Sequence, residues 1–160
     1  MKKFSFVVII VFSLVLAGCN DIIDSISGIN SKANEAAAAI SEDVHTLRSI
    51  PIEMDDQQTI KINDFIKAIL RDVQWKHEKK DKLEVLIVDG SWKDGLFEDY
   101  GFTNDEKEVL KKTGDVVIQL FFDDNELQVD QTTVVLSSND KIIVNLTGEE
   151  AFTSLLKAYN

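Results

Sequence analysis

The sequence is poor in the residues on which several classes of function depend. It holds one cysteine, one proline and two histidines in 160 residues. A single cysteine excludes an intramolecular disulfide framework and a zinc site built on clustered thiolates. The chain has 17 basic and 28 acidic residues, a net charge of −11. This balance argues against nucleic-acid binding, because phosphates are held by an excess of lysine and arginine.

Motifs for catalysis are scarce as well. His45 lies on a predicted helix, His77 alternates with apolar residues in a strand pattern, and neither accompanies a recognisable nucleophile. The segment Asp123-Asp124-Asn125-Glu126 occupies a predicted hairpin turn and lacks the glycine and the spaced ligands of a calcium loop. We therefore predict no catalytic residue, no metal site and no cofactor. The apolar fraction of 44 % nevertheless indicates a folded protein.

The N-terminus has the three-part organisation of a secretory signal peptide. Lys2 and Lys3 precede an apolar run of 13 residues, 4–16, which only Ser5 and Ser13 interrupt. The run is shorter than the about 20 apolar residues that span a bilayer comfortably. A transmembrane anchor is the alternative interpretation of the same residues.

The end of this segment, Leu16-Ala17-Gly18-Cys19, resembles the lipobox of bacterial lipoprotein precursors. The resemblance implies cleavage after residues 1–18 and a diacylglyceryl group on the Cys19 sulfur, often with a third acyl chain on the new amino group. Two or more chains anchor a protein stably in a membrane. Asn20 is not the aspartate that commonly retains lipoproteins in the inner membrane of enteric bacteria. The resemblance thus implies a lipid-anchored protein of the cell membrane, and of the outer membrane, facing the periplasm, in a Gram-negative host.

Residues 19–58 are predicted to form an acidic helical stalk or linker. Its apolar residues are Ile22, Ile26, Ile29, Ala33, Ala36, Ile40, Val44 and Leu47. They recur at steps of three and four, which is a helical stripe, and Pro51 should stop the helix. The stripe fits a coiled-coil seam or an amphipathic helix that packs on, or tethers, its own domain. The second interpretation is favoured because the stripe covers barely three heptads and has alanine at two central positions.

Residues 59–160 are predicted to form the globular domain. The predicted elements are a helix over 63–71, strands over 73–77 and 83–88, a helix capped by Thr103-x-x-Glu106 and closed by Gly114, strands over 116–122, 127–136 and 142–146, and a helix capped by Thr147-x-x-Glu150. Short polar turns join the strands, which requires antiparallel neighbours. We therefore predict an α+β fold, in which a small two-layer domain with a mostly antiparallel meander sheet is packed by helices.

The loop over residues 89–102 is unusually apolar. Its bulky apolar residues are Trp92, Leu96, Phe97, Tyr100 and Phe102. Such a loop either packs over an open sheet face or presents aromatic anchors to a partner. We take these five residues as the candidate partner-binding site. The neighbouring Asp94, Glu98 and Asp99 favour a basic partner.

Together these features predict a lipid-anchored, non-enzymatic envelope protein whose acidic domain binds another envelope or secreted protein. Assembly factors, pilotin-like chaperones and immunity or inhibitor proteins belong to this class. The alternative is a carrier for a small apolar ligand, which requires a cavity lined by Trp75, Trp92 and Phe121. A hydrolase acting through two facing buried carboxylates is a third, less favoured hypothesis.

Overall fold

A computed structural model describes residues 42–54 and 58–160. The predicted signal peptide, Cys19 and the first part of the predicted stalk, residues 19–41, lie outside the described residues. The elements in chain order are α1 (Glu42–Arg48), β1 (Pro51–Glu53), β2 (Thr59–Lys61), α2 (Ile62–Ile69), β3 (Arg71–Lys80), β4 (Leu83–Ser91), a 3-10 turn (Glu98–Tyr100), α3 (Asn104–Thr113), β5 (Gly114–Asp123), β6 (Glu126–Leu127), a 3-10 turn (Val129–Gln131), β7 (Thr133–Ser138), β8 (Lys141–Thr147) and α4 (Gly148–Tyr159).

The central sheet has the strand order β3-β4-β5-β7-β8, and every neighbouring pair is antiparallel. The short strand β6 pairs with the end of β5, and β1 and β2 form a separate two-stranded sheet. The tight turns at 124–125 and 139–140 hold Asp and Asn residues at positive φ, which suits the twist of a two-residue hairpin. The predicted α+β fold with an antiparallel meander is confirmed.

One face of the sheet carries the hydrophobic core. Alternate residues of the strands, such as Trp75 and Ile118, are buried there against Phe65 of α2 and Leu155 of α4. The spacing of the apolar positions in both helices places one stripe against the sheet, which is what a two-layer domain requires. No helix within the described ranges is long and apolar enough to cross a membrane.

The folded domain begins before residue 59. Val44 and Leu47 of α1 and Ile52 of β1 belong to the hydrophobic core. Asp43 lies 3.6 Å from the His77 ring, and the Arg48 guanidinium lies 4.7 Å from the centre of the Trp75 ring. Residues 42–54, which were predicted as stalk, are therefore part of the domain, because the last apolar positions of the helical stripe are buried in its core.

Two local predictions are wrong, and two are confirmed. The strand predicted over 127–136 is broken by the 3-10 turn, because β6 and β7 pair with different parts of β5. Thr147 starts α4 without a side-chain cap, since it is still paired with Thr133 in the sheet. The capping box of Thr103 and Glu106 is present. The first helix ends at Arg48, three residues before the proline.

The opposite, outer face of the sheet carries a row of cross-strand neighbours that includes Gln74, Asp89 and Val117. Burial raises the pKa of the Asp89 carboxyl above its ordinary value; Asp115 adds to this effect and Lys76 opposes it. A raised pKa means that the folded state binds the proton more tightly than the unfolded state does. Ionisation of Asp89 therefore weakens the fold as the pH rises through the folded-state pKa.

Replacing Asp89 with asparagine is accordingly expected to stabilise the domain at neutral pH. The gain should be present at about pH 7 and should vanish at about pH 3, where the native carboxyl is protonated. Urea unfolding of both chains at the two pH values measures it. A gain of equal size at both pH values would assign the effect to shape or hydrogen bonding instead of charge.

Candidate functional site

The apolar loop between β4 and α3 is fixed to the domain by Trp92. Its backbone N–H donates to the Gly114 carbonyl at 2.8 Å, and its indole Nε1 donates to the Leu96 carbonyl at 3.0 Å. The Arg71 guanidinium donates to the Trp92 carbonyl at 2.9 Å and to the Lys111 carbonyl at 2.6 Å. These bonds tie the start of the loop to β3, α3 and β5. The loop is thus part of the scaffold at this end.

The five residues predicted to bind a partner separate into two groups. Trp92, Leu96 and Phe97 are buried in the hydrophobic core, at 1, 1 and 2 % exposure. Phe102 is half-buried, and Tyr100 is 46 % exposed. The first three therefore position the loop by packing and offer a partner almost no surface. Tyr100 is the residue of this set that a partner can contact directly.

Two residues with left-handed backbone conformations flank the turn that ends at the exposed Tyr100. Phe97 has φ of +65°, and Gly101 has φ of +64°. A bulky residue in this left-handed region is strained, and such strain persists only where the surrounding packing enforces it. The Tyr100 ring is 5.9 Å from the Phe97 ring and 6.2 Å from the Phe102 ring, centre to centre. The exposed tyrosine is therefore held by aromatic neighbours on both sides.

A groove of about 690 Å³ lies between this loop and α4. The loop contributes Gly95 and residues 97–100, β8 contributes Leu146, and α4 contributes Glu149, Glu150, Thr153, Ser154 and Lys157. We call this feature the acidic groove. Its walls come from segments about fifty residues apart in the chain, and they meet because α4 packs back over the sheet toward the loop.

The acidic groove carries an excess of negative charge. Glu98, Asp99, Glu149 and Glu150 line it, and all four are exposed. Lys157 is the one basic residue of the lining and pairs with Asp99. No ion pair within residues 42–54 and 58–160 involves the other three carboxylates. The groove therefore presents three uncompensated negative charges to the solvent.

The acids predicted to attract a basic partner differ in what they contact. Glu98 and Asp99 line the groove, whereas Asp94 pairs with Lys111 at 3.0 Å and lies 4.0 Å from Lys107. Asp94 thus holds the loop against α3. Its charge is largely compensated by these two lysines.

Sequence reasoning missed Glu149 and Glu150. Their position in the first turn of the last helix is favourable for that helix alone, because carboxylates stabilise a helix N-terminus. Nothing in the local sequence connects them to the distant loop. Only the return of α4 along the sheet brings these two acids to the groove that Tyr100 borders.

The arrangement suits recognition of cationic groups. Exposed carboxylates beside an aromatic ring bind ammonium and guanidinium groups through charge and cation–π interaction. Within the described part of the chain, no group of three His, Cys, Asp or Glu residues is placed to hold a metal ion. The aromatic residues named for a carrier cavity do not meet, since Trp75 and Trp92 lie in the core and Phe121 points to the outer face of the sheet.

No protein-family model, no curated protein and no solved structure matches this chain. The function is accordingly argued from the geometry and charge of the groove.

Proposed function

We propose that this protein is a lipid-anchored, non-enzymatic envelope protein that binds a basic segment of another protein in the acidic groove. One observation carries the proposal. Three uncompensated carboxylates, Glu98, Glu149 and Glu150, line a groove that the exposed Tyr100 also lines. A concave surface with charge of one sign and an aromatic anchor has the features of a recognition site.

The groove favours lysine or arginine side chains for two physical reasons. Negative charge that lines a concave surface raises the local concentration of a cationic partner and speeds its association. The exposed ring of Tyr100 adds a face on which an ammonium or guanidinium group is attracted by the ring quadrupole. Tyrosine is also rigid and amphipathic, so it contributes contact area at low entropic cost.

The proposed anchor is the lipid on Cys19. Loss of residues 1–18 would remove Lys2 and Lys3 and no acid, leaving 15 basic and 28 acidic residues and a net charge of −13. Such a chain is repelled by anionic lipid headgroups, so acyl chains and not a basic patch must hold it at the membrane. The same negative charge attracts a basic protein to the groove.

The test is binding of a defined basic peptide. The probe is a fluorescent eight-residue peptide that alternates lysine and valine, titrated into the full chain in neutral detergent. Replacing both Glu149 and Glu150 with lysine is expected to weaken binding at least about tenfold, because it replaces two attractions with two repulsions. Tyr100→Ala should weaken binding about threefold or more through loss of the aromatic face.

The matched control keeps the change in net charge and leaves the groove intact. Glu53→Lys with Asp123→Lys alters two exposed acids that do not line the groove. This pair should change the affinity much less than the groove pair does. Equal weakening by both pairs would show that only the overall charge matters and would refute the groove as the binding site.

A further inference from the structure

Strand β8 forms an open edge of the central sheet. Its one strand neighbour within the described residues is β7. The opposite edge strand, β3, carries Lys76, Glu78, Lys79 and Lys80, and charges of this kind discourage strand pairing. On β8, by contrast, Ile142 is 56 % exposed, and Ile143, which a register irregularity leaves without a Cα partner in β7, is 43 % exposed. One edge of the sheet is therefore protected by charge, and the other offers two adjacent exposed aliphatic side chains.

The open edge borders the acidic groove. Leu146 belongs to β8 and lines the groove, and α4 begins directly after the strand with Glu149 and Glu150 in its first turn. The outer face of the same strand carries Ile142, which is paired with Ser137. A chain lying along β8 would thus have carboxylates on one side and Ile142 on the other.

We infer that an extended, basic segment of the partner protein binds by adding to the sheet as a new strand along β8; this inference rests on the proposed function. An added strand satisfies its backbone hydrogen bonds with the edge, and its alternate side chains point to opposite faces. One set of side chains, lysine or arginine, enters the acidic groove. The other set, which is aliphatic, covers Ile142 on the outer face.

Charge selects the partner over a second copy of this chain. Pairing of two β8 edges would bring together two chains that each carry a net charge of −11. The strand itself supplies a single basic residue, Lys141. Like charges placed side by side are destabilising. A basic segment meets the same edge with attraction.

The decisive experiment uses two N-methylated forms of the lysine–valine probe. In a strand, the backbone N–H groups of alternate residues point to opposite edges, so methylation of all valines blocks one edge and methylation of all lysines blocks the other. One methylated peptide is expected to bind about as well as the parent peptide. The other should bind at least about tenfold more weakly, because it cannot donate hydrogen bonds to β8.

Substitutions on the protein give a second readout. Ile142→Lys with Ile143→Lys should weaken binding of the parent peptide about tenfold, because the added charges repel the probe and remove apolar contact. Val109→Lys is the control for a single added lysine, since Val109 is an exposed aliphatic residue of α3 that does not line the groove. This control should leave the affinity within about twofold.

The outcomes separate this inference from the proposed function. If the parent peptide binds and depends on Glu149 and Glu150, but both methylated peptides bind alike, the groove stands and strand addition is refuted. If the parent peptide does not bind, both proposals fail. If sedimentation shows that the chain alone forms dimers that Ile142→Lys with Ile143→Lys abolishes, the edge belongs to a second copy and the inference is overturned.

Discussion

Replacing Trp92 with alanine is expected to lower the free energy of unfolding by about 3–5 kcal/mol, the usual cost of truncating a large buried aromatic side chain. The side chain is 1 % exposed, and its indole N–H donates to the Leu96 carbonyl. Truncation leaves a cavity in the core and a carbonyl without its donor. The backbone of Gly114 packs closely against Trp92. A Cβ atom added at Gly114 would lie 2.9 Å from Cβ of Trp92 and 2.6 Å from the Leu110 carbonyl oxygen.

The measurement is equilibrium unfolding in urea, compared with the Tyr100→Ala chain. Tyr100 is an exposed residue of the same loop that contacts two aromatic rings, so its truncation should lower the free energy of unfolding by about 1 kcal/mol, well below the loss for Trp92. The two variants thus separate the two roles of the loop: Trp92 holds it, and Tyr100 presents it to a partner. A loss below about 1 kcal/mol for Trp92→Ala would contradict the role of Trp92 as the core residue that anchors the loop.

Replacing Cys19 with serine is expected to abolish acylation and release the protein from membranes. Serine has no thiol for thioether attachment of the diacylglyceryl group. Because a highly acidic chain is not attracted to anionic headgroups, we expect no other feature of the mature sequence to replace the acyl chains.

Labelling with an alkyne analogue of palmitate, followed by membrane fractionation, measures both effects. Asn20→Ser is the matched control, since it makes a neighbouring substitution and keeps the thiol. This control should remain labelled and membrane-bound. Membrane retention of the unlabelled Cys19→Ser chain would instead show that the apolar run over residues 4–16 acts as a transmembrane anchor.

The local signals in the sequence were sound where one element determined the outcome. The alternation of apolar residues in β3, the apolar runs of β4 and β5, and the turns rich in Asp and Asn predicted an antiparallel meander that the structure contains. The capping box at Thr103 formed because its partner, Glu106, is three residues away. The equivalent pattern at Thr147 failed because pairing with Thr133 holds that residue in the sheet. Tertiary pairing overrode a local preference at that point.

The candidate site was predictable only in part, for the same reason. The apolar loop was evident from composition, but burial separated Trp92, Leu96 and Phe97 from the exposed Tyr100. A sequence pattern shows which residues are apolar, but it does not show which of them are buried in the core. The acids of α4 gave no signal of their own, since Glu149 and Glu150 also suit an ordinary helix start.

The sequence by itself thus determined the α+β class, the antiparallel turns and the acidity, and it predicts the lipid anchor from residues next to Cys19. These features follow from neighbours in the chain, whose chemistry acts over a few residues. The tertiary structure alone decided that α4 returns to the loop, that Glu149 and Tyr100 share one groove, and that β8 is the last strand of the sheet within the described residues. Those features arise because burying the apolar stripes of separate helices on one sheet brings together residues far apart in sequence.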